Sequence, residues 1–141
     1  MNILIINGPN LNMLGIRNPS IYGTESLEEL NEWIRKTTEQ KKHDLRFFQT
    51  NHEGEIIDML QSEIKWYDGV IINPGALTHY SLSIRDTIEC ISKPVIEVHI
   101  SNILDREPFR RVSVISEVCI ETIVGKGKMG YIEAIQKLEL C

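Results

Sequence analysis

No apolar run in this chain of 141 residues approaches the ~18 needed to span a bilayer, so no membrane helix is expected. The N-terminus lacks a basic segment, and Ile3-Leu4-Ile5-Ile6 is too short for a secretory signal. Positive charge is also scarce. Fifteen Lys and Arg against 20 Asp and Glu leave a net charge of −5, which excludes the electrostatic footprint of a nucleic-acid binder. The three cysteines, Cys90, Cys119 and Cys141, are odd in number, widely separated and without a CxxC pair. They read as reduced thiols of a cytoplasmic protein, neither a disulfide framework nor a metal site. His52-Glu53 begins like a zinc motif, but Ile56 stands where the second His is needed, and no metal is expected. Gly125-Lys126-Gly127-Lys128 lacks the Ser or Thr and the full spacing of a phosphate loop, so it reads as a turn.

What is present is the makeup of a soluble globular protein, 42% hydrophobic and 25% charged. No repeat or linker interrupts it, and residues 1–141 read as a single domain large enough to bury a real core. After the first apolar strand, Ser26-Leu27-Glu28-Glu29 is a capping box, followed at helical spacing by Leu27, Leu30, Trp33 and Ile34. Leu45 to Gln49 is a second strand, and Asn51-His52-Glu53-Gly54 is a turn into a helix with Ile56, Ile57, Leu60 and Ile64 on one face. Gly69 to Asn73 is a wholly apolar strand, the pattern of one buried on both faces. A third helix is expected over Thr78–Ile91, a fourth strand over Val95–His99, a fifth over Val118–Val124 and a last helix over Tyr131–Leu138. Residues Ser101 to Arg111 read as polar and irregular. Alternating strands and helices predict an α/β fold: a flavodoxin-like, five-stranded parallel sheet of order 2-1-3-4-5 with helices on both faces.

That order fixes where a ligand binds, because the crevice lies beyond the carboxyl ends of the strands where the order reverses. Asn7 to Asn10, Asn73 to Thr78 and His99 to Asn102 converge there. Between Asn10 and Gly23 runs a segment without periodicity that carries five large apolar side chains, and such long loops in compact domains are usually functional or disordered. It reads as an ordered flap hinged near Gly15 and Gly23, bringing Arg17 and Tyr22 over the end of a strand. A free Tyr has a pKa near 10, so roughly one phenol in a thousand is ionised at neutral pH. A neighbouring guanidinium favours the phenolate and makes Tyr22 a candidate base toward a carbon acid. His99 is a candidate acid for a leaving oxygen, and Glu97, two residues earlier on the same strand face, can hold its second nitrogen. A carboxylate inside an apolar strand is costly to bury unless paired, which singles out Glu97. Asn10 and Asn73 can donate to an enolate oxygen or to hydroxyls, and Arg110 suits a carboxylate. Proton abstraction with β-elimination of water fits these groups best. A flavin-binding module fits poorly, since Asn7-Gly8-Pro9-Asn10 has no hydroxyl and loses an N–H at Pro9. A phospho-receiver needs acids where this chain has Asn7 and Asn73, and a catalytically dead scaffold of the same fold needs a direct assay to separate.

Asn7-Gly8-Pro9-Asn10-Leu11-Asn12-Met13-Leu14-Gly15, Arg17 with Tyr22-Gly23, Asn51-His52-Glu53-Gly54-Glu55, Asn73-Pro74-Gly75-Ala76 and Glu97-Val98-His99-Ile100-Ser101-Asn102 resemble type II 3-dehydroquinate dehydratase in order and spacing, ending with Gly130-Tyr131. The resemblance covers essentially the whole chain. It implies a reversible, metal-free and cofactor-free anti elimination of water from 3-dehydroquinate to 3-dehydroshikimate through an enolate, in the shikimate pathway or in quinate catabolism. It implies Tyr22 as base, Arg17 as the flap cation that lowers its pKa, His99 as acid with Glu97 as partner, and Asn10 stabilising the enolate through water. Substrate contacts are implied for Asn73, His79, Ile100, Ser101 and Arg110, and Asp86 is implied to reach a neighbouring subunit's site in a homo-dodecamer, a tetramer of trimers. Ile16, Asn18, Ser20, Leu104-Asp105 and Pro108 depart from the family's usual choices, but every acid–base position is filled.

Overall fold

The structure, a computed structural model, describes residues 1–141. Five strands run β1 (Asn2–Asn7), β2 (Asp44–Gln49), β3 (Gly69–Asn73), β4 (Val95–His99) and β5 (Glu121–Val124), all parallel, in the order 2-1-3-4-5. Helices α1 (Pro19–Tyr22), α2 (Leu27–Thr38), α3 (Glu53–Ser62), α4 (Leu82–Ile91) and α5 (Met129–Leu138) connect or follow them. No helix is long and apolar enough to cross a membrane.

The sheet is covered on both faces, which is why β1 and β3 are continuously apolar and not alternating. Successive side chains of β1 divide between the two layers: Ile3 and Ile5 join Leu30 and Ile34 of α2 and Ile135 of α5. Leu4 and Ile6 join Ile56 and Leu60 of α3 and Ile84 and Ile88 of α4. In α2 the capping box is complete, with Ser26 Oγ accepting from Glu29 N–H and the Glu29 carboxylate accepting from Ser26 N–H.

Three expectations shift at their boundaries. The helix predicted over Thr78–Ile91 is split into a 3-10 turn, Gly75–His79, and α4, because Ser81 caps α4 by accepting from Ile84 N–H at 3.1 Å. The strand predicted over Val118–Val124 begins only at Glu121, since Ser116–Val118 form a 3-10 turn. The last helix starts two residues early, at Met129. The flap is not without structure: Leu11–Met13 make a 3-10 turn, and Pro19–Tyr22 make the single-turn α1 with Pro at its first position.

Two loops cross tightly beyond β1 and β3. A Cβ on Gly8 would stand 2.8 Å from the carbonyl of Pro74, and one on Gly75, at φ +58, would stand 2.9 Å from Pro9 O. Only glycine lets these strand ends approach so closely. Asn10 turns away in the left-handed region, φ 70, and Asn51 Oδ1 accepts from its backbone N–H at 3.0 Å.

Candidate active site

Beyond the carboxyl ends of β1, β3 and β4 lies a cleft that is partly open to solvent. Of the residues singled out in the sequence, Asn10, Arg17, Tyr22, Asn73, His79, His99, Ile100, Ser101 and Arg110 all border it. Glu97 lies behind His99, wholly buried. Asp86 is exposed on α4 and does not line the cleft. Every fully charged side chain on its wall is an arginine, Arg17, Arg106 or Arg110, although the chain as a whole is negative. Such a cleft selects an anion.

The flap delivers Tyr22 through α1, and the Arg17 guanidinium carbon lies 5.2 Å from the centroid of the Tyr22 ring, within cation–π reach. The hydroxyl itself, however, accepts a hydrogen bond from Arg106 Nη1 at 2.9 Å. Arg17 therefore sits at the ring and Arg106 at the oxygen. Negative charge arriving on that oxygen meets a cationic donor already in place. Arg106 was not foreseen. It belongs to a segment that reads only as irregular, and the signal available was its position three residues after Ile103 and four before Arg110 on the same cleft wall. Glu107 anchors that wall, its carboxylate 2.9 Å from Arg110 Nε and 3.9 Å from Arg106 Nε.

At the end of β4, His99 Nε2 and Glu97 Oε1 lie 2.6 Å apart, an arrangement set by the two-residue period of the strand. Burial on its own would push the Glu97 carboxyl up. Hydrogen bonds from His99, Thr78 and Ser113, with the His99 charge, more than offset it and hold the carboxyl below its ordinary value. With Nε2 engaged, Nδ1 is the His99 nitrogen without a protein partner, on a side chain that borders the cleft. His79 is fixed differently: its Nδ1 is 2.6 Å from Val112 O, so that nitrogen carries the proton and Nε2 is left free.

Asn73 is held from the other layer of the fold. It pairs in register with Asn7, and the phenol of Tyr131 on α5 bridges the two. Tyr131 donates to Asn7 Oδ1 at 2.5 Å and accepts from Asn73 Nδ2 at 3.2 Å, while Asn73 Oδ1 accepts from Gly75 N–H at 3.2 Å. One Nδ2 hydrogen of Asn73 remains, so toward the cleft this residue is a donor. The Asn7–Asn73 pair is thereby committed to an internal network and has no acidic character, unlike the carboxylates of a phospho-receiver.

A doubly wound parallel sheet whose switch-point cleft is bordered by a phenol bonded to a guanidinium and by an imidazole bonded to a buried carboxylate has the groups that acid–base chemistry uses. Known proteins narrow this class. The family model for class II dehydroquinases matches residues 1–139. A 3-dehydroquinate dehydratase of Clostridium beijerinckii is 50% identical over 141 residues, covering 99% of this chain and 97% of that protein. The crystal structure of a type II dehydroquinase from Butyrivibrio crossotus superposes with a TM-score of 0.96 at 50% identity, covering 99% of this chain and 97% of that one. That of Propionibacterium acnes gives 0.94 at 38% identity with the same coverage. The chain belongs to the class II dehydroquinase family.

Proposed function

We propose that this chain dehydrates 3-dehydroquinate to 3-dehydroshikimate, reversibly and by anti elimination, as one catalytic domain over residues 1–141. The observation that carries the reading is that two bonded pairs, Tyr22 with Arg106 and His99 with the buried Glu97, meet at one cleft whose full charges are all positive. In this mechanism the Tyr22 oxygen takes a proton from C2 of the substrate, giving an enolate, and His99 returns a proton to the hydroxyl that leaves as water. Arg17 closes over the ring of Tyr22 with the flap. Asn10 supports the enolate through water, Arg110 binds the substrate carboxylate, and Asn73, His79, Ile100 and Ser101 bind its hydroxyls and ring. No cofactor takes part.

The assembly belongs to the same proposal: a cytoplasmic dodecamer built from trimers, in which Asp86 reaches the site of a neighbouring subunit. Its exposure on α4, away from its own cleft, is compatible with that role. The test of the reaction is incubation of the purified chain with 3-dehydroquinate in the presence of EDTA, monitored by the ultraviolet absorbance of the conjugated enone. A steady rise is expected. A flat trace, or one that appears only on adding metal, contradicts the proposal.

A further inference from the structure

The Glu97 carboxylate is surrounded by more than its imidazole. Its Oε1 lies 2.6 Å from His99 Nε2 and accepts from the Thr78 hydroxyl. Its Oε2 accepts from Ser113 Oγ–H at 2.9 Å and from Thr122 Oγ–H at 3.1 Å, and Ser113 Oγ is 3.0 Å from Oε1 as well. A carboxylate offers about four lone-pair positions, and here four donors surround them. None of the three hydroxyl residues borders the cleft.

Three separate parts of the chain supply these hydroxyls, each for a structural reason. Thr122 stands opposite Glu97 in the β4–β5 register, on the same sheet face. Thr78 lies in the 3-10 turn that follows β3. Ser113 follows Arg106 and Arg110 on the segment between β4 and β5, and that segment is tied to Thr78 by the bond from Val114 N–H to Thr78 O at 2.8 Å. The same contacts that fix the carboxylate therefore also fix the stretch leading from the cleft arginines.

We propose that Thr122 and Ser113, with Thr78, are positioning residues for the acid step, acting through Glu97. This rests on the reading of His99 as the acid. An anion held on both oxygens cannot rotate about its last torsion, so it fixes the imidazole plane to which it is bonded. The hydroxyl donors also stabilise the anionic form, so the carboxylate keeps a low affinity for the imidazole proton that lies along its bond to Nε2. Nε2–H thus stays a donor to Glu97, and the proton given to the leaving hydroxyl comes from Nδ1. Without the hydroxyls, a buried carboxylate would gain proton affinity and lose its grip on the ring.

Thr122→Val tests this most cleanly, because it keeps the side-chain shape, and the Thr122 hydroxyl makes no other hydrogen bond. Ser113→Ala is the companion, though Ser113 Oγ also accepts from Ile115 N–H and Ser116 N–H. Each variant should lower kcat by about tenfold, the scale of losing one hydrogen bond to a charged group, with KM and inhibitor affinity unchanged. Ser113→Thr should restore kcat. The low-field proton resonance of the His99 ring N–H, read in the resting enzyme, should be displaced or lost to exchange in Thr122→Val. Kcat within twofold of wild type, together with an unaltered resonance, overturns the positioning role while leaving dehydration intact. If Ser113→Ala does not fold, Thr122→Val alone decides. A wild-type chain that does not turn over 3-dehydroquinate sinks the acid reading instead, and the resonance still reports on the carboxylate cage.

Discussion

Arg106 donates to the Tyr22 hydroxyl at 2.9 Å, a contact between residues 84 positions apart in the chain. It ties the flap to the wall that also carries Arg110. Arg17 and Tyr22 of the flap thus border the cleft with a cationic donor already on the oxygen proposed to act as base.

Arg106→Gln should lower kcat by about 10- to 100-fold, since a hydrogen bond to a charged group contributes ~1.5–3 kcal/mol. Binding of an unreactive substrate analogue should weaken less. Steady-state kinetics beside calorimetric titration separates the two, and an unchanged kcat would show that the oxygen does not depend on this donor.

Tyr131→Phe should act at a distance. It removes one buried oxygen and leaves Asn7 Oδ1 and one Asn73 N–H without a partner, which costs ~1–3 kcal/mol of stability in urea unfolding. It also frees the Asn73 carboxamide to turn, so KM for 3-dehydroquinate should rise. Tyr67→Phe is the control: Tyr67 is equally buried and donates to Leu60 O at 2.6 Å, but touches nothing in the cleft, so stability should fall with KM unchanged.

Stability should decline at both ends of the pH scale for different groups. Glu97 is held below its ordinary value of 4.5. Its contribution is complete above that value and is lost as pH falls through the lower folded one. Burial pushes the Tyr67 phenol from 10.0 up to about 12. Below 10 both states keep that proton; above it only the unfolded chain ionises, so stability is lost progressively toward 12. Urea midpoints across the range check both limbs, and Tyr67→Phe should flatten the alkaline one. Burial, with the Glu97 charge beside it, likewise pushes the Cys119 thiol up to about 12, so a thiol reagent near neutral pH should label exposed Cys90 and Cys141 first.

How much of this was legible in the sequence follows from the range of the interactions. The layers of the sheet were readable because β1 and β3 are apolar without alternation, a local pattern with one common explanation. The Glu97–His99 pair was readable from the two-residue period of a strand. Arg106 was not, because its bond to Tyr22 joins two irregular segments that no periodicity relates. Thr122 needed the β4–β5 register, and Ser113 needed the path of an irregular crossover. Asn51-His52-Glu53-Gly54 was legible as a turn, but not that Asn51 pins the backbone of Asn10, or that Glu53 accepts from the Ser81 cap hydroxyl. The split within Thr78–Ile91 was hidden because Ile84, Ile88 and Ile91 hold a helical spacing that does not show where the helix starts, which Ser81 sets by capping.

The most direct measurement compares wild type and Tyr22→Phe for turnover of 3-dehydroquinate, with analogue affinity measured on both. Loss of the phenol oxygen should remove turnover by several orders of magnitude while the analogue still binds, because the contacts proposed for Arg110 and Asn73 do not involve that oxygen. Near-normal turnover by Tyr22→Phe would contradict the assignment of that oxygen as the base.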